Sequence, residues 1–164
     1  LAERLPEGSY RLAEGDPGKA LFGWITGQYR FTRYKGDKDQ RGPRVLLTSD
    51  VAAIAPTIAE ARAAMLVRDM VNTPAADMGP AALEAEAARI AKAHHAKLTV
   101  TKSDALAEGY PLIHAVGRAA DKIHAPRLIE LHWGKDDHPR VAIVGKGVCF
   151  DSGGLDIKPA AGML

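Results

Sequence analysis

Residues 140–145, Arg-Val-Ala-Ile-Val-Gly, restrict the possible folds more than any other stretch. Four apolar residues follow one another without polar alternation, the pattern of a strand covered on both faces. Such a strand requires layers on either side, and the residues before it can supply them. Pro80 opens a helical pattern with Leu83, Ala87 and Ile90 on one face. Residues 97–101, Lys-Leu-Thr-Val-Thr, are strand-like. Residues 103–109 form a short helix with Ser103 as cap and Gly109 as stop. Residues 111–117 fit either a strand or a buried turn of helix, and residues 127–133 alternate apolar and polar as a strand does. Helices alternating with strands argue for an α/β layer, in which ligands gather beyond the carboxyl ends of the strands. The glycine-rich turn after Val144 lies at such an end.

The first 50 residues are less regular. Strand-like runs at 20–27, 30–34 and 44–50 are separated by turns bearing Gly and Pro, as in the tail of an α/β domain. A helix follows over 56–72. Thr57 and Glu60 form a capping-box pair behind Pro56, Ile58, Ala61 and Met65 recur at helical spacing, and Pro74 halts the pattern after Asn72. The expected organisation is the end of an N-terminal α/β domain over 1–54, a linker helix over 55–73, and the opening helix-strand units of a second α/β domain over 74–164. The chain starts at Leu1 with neither an initiator Met nor a signal-peptide pattern, and stops just after its most charge-specific turn. It is therefore expected to be part of a longer protein.

Several function classes fall away. No apolar run approaches membrane-spanning length. A formal net charge of +2 gives no argument for nucleic acid, and the basic cluster at 29–44 also carries Asp37 and Asp39, so it reads as a solvated loop rather than a phosphate patch. The single Cys149 excludes an internal disulfide and a Cys-His zinc set. It sits on the apolar run into Phe150 and reads as a small buried side chain rather than a nucleophile. The six histidines form no His-Glu-x-x-His; His94 and His95 close a helix, where positive charge suits the dipole, and the other four are scattered. Met163 suits a pocket border or the core equally.

The turn itself, Gly-Lys-Gly-Val-Cys-Phe-Asp-Ser-Gly-Gly over 145–154, first suggests phosphate binding. The Walker spacing fails, since Arg140 stands five residues before Gly145 and Gly147 follows Lys146; the dinucleotide pattern fails at Phe150. A metal reading fits better. Asp151 precedes Ser152, Gly153 and Gly154, a backbone that turns sharply, and its two oxygens suit a bridge between two hard divalent ions. Lys146 becomes a ligand if nearby divalent charge and burial favour its neutral amine. Lys158, kept charged, can polarise a carbonyl and stabilise the oxyanion that develops.

Residues 144–163 closely resemble the first active-site block of the leucyl aminopeptidase (cytosol aminopeptidase) family of two-metal exopeptidases. Residues 61–80 resemble its linker helix and the Asn-x-Pro-Ala entry to its catalytic domain, residues 109–133 the segment leading to the metal block, and residues 27–35 the close of its N-terminal domain. The resemblance implies Lys146 as the lysine ligand of the tighter metal site, Asp151 as the aspartate bridging both ions, and Lys158 as the catalytic lysine that meets the substrate carbonyl. It also implies hydrolysis of N-terminal residues, leucine and other apolar ones, from peptides. Two divalent ions (zinc or manganese, with magnesium and cobalt as alternatives), a bicarbonate base, a homo-hexamer and a cytoplasmic setting go with it. Asp77 stands where the family often has Asn, and Ala119-Ala120 where it often has Gly-Ser. A further aspartate ligand, and an Asn-Thr-Asp-Ala-Glu-Gly-Arg block, belong to parts of the family absent here. The 164-residue piece is thus expected to be inactive without the remainder of the catalytic domain, which could be a separate chain. The rival readings are a non-catalytic fragment acting through assembly and a phosphate- or nucleotide-binding α/β domain.

Overall fold

The computed structural model describes residues 2–15, 17–36, 41–151 and 156–162. The chain divides into two compact units, Leu1–Thr73 and Pro74–Leu164. Both mix helix and strand, so the chain is an α/β piece. No helix among the described residues is long and apolar enough to cross a membrane.

The first unit contains strand β1 (Gly8–Tyr10), helix α1 (Gly18–Thr26), strand β2 (Arg44–Leu46) and helix α2 (Val51–Asn72), with β1 and β2 parallel. Residues 20–27, expected as a strand, lie largely in α1, because Leu21 and Trp24, three apart, turn to the same buried side. A short apolar run fits either period, and here packing against α2 selects the helical one. Residues 30–34 form no strand. The Trp24 indole N–H donates to the Arg44 carbonyl at 2.8 Å. The Gln28 amide brackets the same residue, accepting from its N–H and donating to its carbonyl, both at 3.0 Å. Gln28 thus satisfies the backbone of β2 as a neighbouring strand would.

Helix α2 starts earlier than its capping-box pair suggests. Asp50 is the cap, accepting from the Ala53 N–H at 3.0 Å, and Thr57 and Glu60 lie within the helix with Pro56. A side-chain acceptor placed at Asp50 outcompetes the later signal, and Pro56 costs one backbone bond near the helix start.

The second unit contains helix α3 (Pro80–Ala93), strand β3 (Lys97–Lys102), helices α4 (Ser103–Gly109) and α5 (Pro111–Gly117), and strand β4 (Arg127–His132). Residues 111–117 are thus helical. Strands β3 and β4 are antiparallel, with Lys97 opposite His132 and Lys102 opposite Arg127. Pro80 sits in the first turn of α3, and Ala87 and Ala91 are its buried residues. Leu106 of α4 is fully buried. Ser103 makes no capping bond; it is the first residue of α4 at φ +54°, absorbing the change from strand to helix in a left-handed conformation. Helix α3 closes similarly: His95 takes φ +55°, and the Ala96 N–H donates to the Ala91 carbonyl at 2.8 Å, a Schellman closure with histidine where glycine is usual.

The clearest departure concerns residues 140–145. They form no strand, and Val141, Ile143 and Val144 are 85%, 95% and 94% exposed. A doubly covered strand needs neighbours to pair its N–H and C=O groups. Among the described residues β4 pairs only with β3, and no strand lies beside 140–145. The apolar run therefore lies open.

Candidate active-site segment

The three residues singled out as ligands and catalyst share one segment of the second unit, 146–158. Lys146 lies on an exposed stretch and makes no hydrogen bond or ion pair with the described residues. No helix follows Gly145-Lys146-Gly147, so the helix N-terminus that a phosphate cradle relies on is missing among the described residues. Asp151 is exposed. The Ser152-Gly153-Gly154 turn proposed to shape its backbone lies outside the described residues, as does Met163. Lys158 leads into a short 3-10 turn, Ala160–Gly162, preceded by Pro159, whose carbonyl accepts from the Gly162 N–H at 2.8 Å.

The Lys158 Nζ donates to Asp151 Oδ2 at 2.7 Å, with side chains 38% and 56% exposed. This is a charge-assisted hydrogen bond of ordinary length, and water screening keeps its stabilising effect small. Two of the three selected residues are thus brought together, while Lys146 has no bond to either.

The chemistry of these donors suits a divalent ion in part. Asp151 offers hard carboxylate oxygens and already holds one cation, the Lys158 ammonium. Lys146 and Asp151 would each serve as a single ligand. Among the described residues no group of three or more His, Cys, Asp or Glu side chains converges on a point that could hold a metal ion.

Cys149, two residues before Asp151, is half-buried. Its thiol lies 3.7 Å from the Gly147 carbonyl. Burial pushes the thiol above its ordinary range, against a smaller opposite pull from the Arg127 charge. A thiol held protonated is a poor nucleophile, in keeping with a packing role.

A polar cluster elsewhere in this unit carries no motif. Glu84 on α3 accepts from Lys102 Nζ at 2.7 Å and from Arg127 Nη1 at 2.5 Å, joining the helix to the paired ends of β3 and β4. The hydrogen bond from Lys102, and then that from Arg127, hold the Glu84 carboxyl below its ordinary range, overcoming desolvation in the other direction. Arg127 also donates to the Ala125 and Ile123 carbonyls. Its guanidinium anchors the chain leading into β4.

In the first unit, an open cavity of about 520 Å³ is lined by Arg30, Lys35 and their aromatic neighbours from the basic cluster. Arg30 is tied to Glu3 at 2.9 Å, so part of the local positive charge is already compensated.

Comparison with known proteins gives a consistent result. The family model described as "Cytosol aminopeptidase family, catalytic domain" matches residues 65–164. A probable cytosol aminopeptidase of Rhodococcus opacus (strain B4) is 38% identical over a region taking in 90% of this chain and 32% of that protein. One from Roseiflexus castenholzii is 36% identical, over 86% of this chain and 31% of that protein. The crystal structure of cytosol aminopeptidase from Coxiella burnetii superposes with a TM-score of 0.90 and 39% identity, over 99% of this chain and 36% of that one. The bottromycin maturation enzyme BotP in complex with Mn superposes with a TM-score of 0.73 and 34% identity, over 85% of this chain and 30% of that one. The chain spans about one third of the length of the curated relatives it matches.

Proposed function

Since this chain belongs to the cytosol aminopeptidase family, we propose that it carries the first part of the active site of a metal-dependent aminopeptidase, one that removes leucine and other apolar residues from the N-termini of peptides. The observation that carries this reading is the meeting of Asp151 and Lys158 at 2.7 Å on the segment bearing the family's metal block. Lys146 and Asp151 are assigned as metal ligands, and Lys158 as the residue that meets the substrate carbonyl. Two divalent ions, zinc or manganese, would supply Lewis-acid activation of the attacking water. Asp151 holds negative charge at the site, and Lys158 presents a positive charge where an oxyanion develops as the peptide bond is attacked. Lys146 would offer its amine nitrogen to one of these ions.

The proposed domain organisation is the end of an N-terminal domain over 1–54, the helix 55–73, and the start of the catalytic domain over 74–164. The division of the chain after Thr73 supports the second of these boundaries. The complete enzyme is assigned a bicarbonate base, a homo-hexameric state and a cytoplasmic location.

The described residues supply too few ligands for two ions, and the 164-residue chain is proposed to be inactive alone. Assay of leucine p-nitroanilide hydrolysis with manganese or zinc tests this. The purified chain should show no turnover, and co-folding with the part of the Rhodococcus opacus relative that follows the matched region should restore it. Lys158→Ala in that complex should lower kcat by about a hundredfold or more. Turnover by the chain alone, or undiminished kcat in Lys158→Ala, would overturn the assignment.

A further inference from the structure

The exposed chain that begins at Val141 comes down on the body of the second unit at Gly147. A Cβ built on Gly145 meets nothing within 4 Å, whereas one built on Gly147 stands 3.7 Å from Leu83 Cδ1, on α3. Two residues further on, Cys149 is the only residue of 146–151 that is not exposed, and the Arg127 charge reaches its thiol. Leu83 and Arg127 are joined through Glu84, the neighbour of Leu83 in sequence, which accepts from Arg127 Nη1. Resting on the reading of 146–158 as an active-site segment, we propose that Leu83 and the Glu84–Arg127 pair are positioning residues. They form a platform under 147–149 that fixes where Lys146 and Asp151 stand. A reacting group displaced by about 1 Å can cost on the order of a hundredfold in rate, so an exposed segment needs a fixed point close to each functional side chain. Gly147 adjoins Lys146, and Cys149 lies two residues before Asp151, so one platform serves both. Arg127 suits the part. Its side chain is 7% exposed and also donates to the Ala125 and Ile123 carbonyls, so it cannot follow a moving segment.

Backbone ¹⁵N relaxation of the 164-residue chain tests the platform. Order parameters at 147–149 should lie near 0.8, and those at 141–144 below about 0.6. In Leu83→Ala the values at 147–149 should fall to those of 141–144, and the volume-conserving Leu83→Met should restore them. Leu106→Ala, which removes a buried side chain of α4, should leave them unchanged and so controls for lost stability. In the chain co-folded with the following part of the Rhodococcus opacus relative, Leu83→Ala should lower kcat about tenfold with KM unchanged, again restored by Leu83→Met. If 147–149 are as mobile as 141–144 in the unsubstituted chain, or if Leu106→Ala loosens them equally, the platform is refuted and the reading of the segment stands. If Leu83→Ala loosens 147–149 but leaves kcat intact, positioning is refuted. If the unsubstituted co-folded protein shows no turnover, it is the reading of the segment as catalytic that falls, and the order parameters still decide the platform.

Discussion

Arg127 and Glu84 stand 43 residues apart in sequence and 2.5 Å apart in space, with the Arg127 side chain 7% exposed. This contact ties α3 to the end of the β3–β4 pair. Removing one partner leaves the other charge poorly solvated, which costs more than the pair contributes. Glu84→Gln should destabilise the second unit by about 2 kcal/mol. The double variant Glu84→Gln/Arg127→Met should recover part of that loss, as a double-mutant cycle in urea would show. Purely additive losses would mean that the pair is energetically idle.

The same carboxylate gives a pH dependence. Its folded-state value is depressed, so its contribution is fully present above the ordinary value of 4.5 and is lost as pH falls below it. Urea midpoints should fall between pH 5 and about pH 3, and more steeply than in Glu84→Gln. Parallel curves for the two proteins would remove Glu84 from the acid transition.

Leu106 is fully buried on α4. Leu106→Ala should cost about 3 kcal/mol, the sum of lost transfer energy and the cavity left behind. A change below about 1 kcal/mol would show that the site collapses around the smaller side chain.

His95 closes α3 with a left-handed backbone at φ +55°. His95→Gly should stabilise the second unit by about 0.5–1 kcal/mol, as relief of that conformation exceeds the added freedom of the unfolded chain. Calorimetry would register this as a raised Tm. A lowered Tm would mean that the histidine ring contributes packing of its own.

The Cys149 thiol, raised by burial, should react with iodoacetamide more slowly at pH 8.5 than the same thiol in urea-unfolded chain, by about threefold or more. Equal rates would place the thiol in open solvent.

The candidate site residues are legible as a local motif, since Lys146, Asp151 and Lys158 fall within 13 consecutive residues; the ion pair between the last two is a finding of the structure. The start of α3 at Pro80 and the two strands of the second unit were legible for a similar reason, a breaker followed by a clean period. The Glu84 cluster was not, since nothing local links α3 to residues 18 and 43 positions further on. The run 20–27 satisfies both periods until α2 chooses between them, so the sequence alone suggests a strand where helix α1 forms. The 140–145 run carries the composition of a covered strand, but composition does not supply the cover. A strand exists only with its neighbours, and the described residues provide none.

That uncovered run has a consequence for handling the protein. Four apolar residues, three of them β-branched, lie open between Arg140 and Lys146, and the window contains no proline. If two molecules paired along it edge to edge, the flanking Arg140 and Lys146 of each copy would oppose the approach by like-charge repulsion. Their guard is purely electrostatic. It weakens as the Debye length shrinks from about 10 Å at 0.1 M salt to about 3 Å at 1 M. Salt, commonly added to keep proteins in solution, should drive this one toward cross-β clumping.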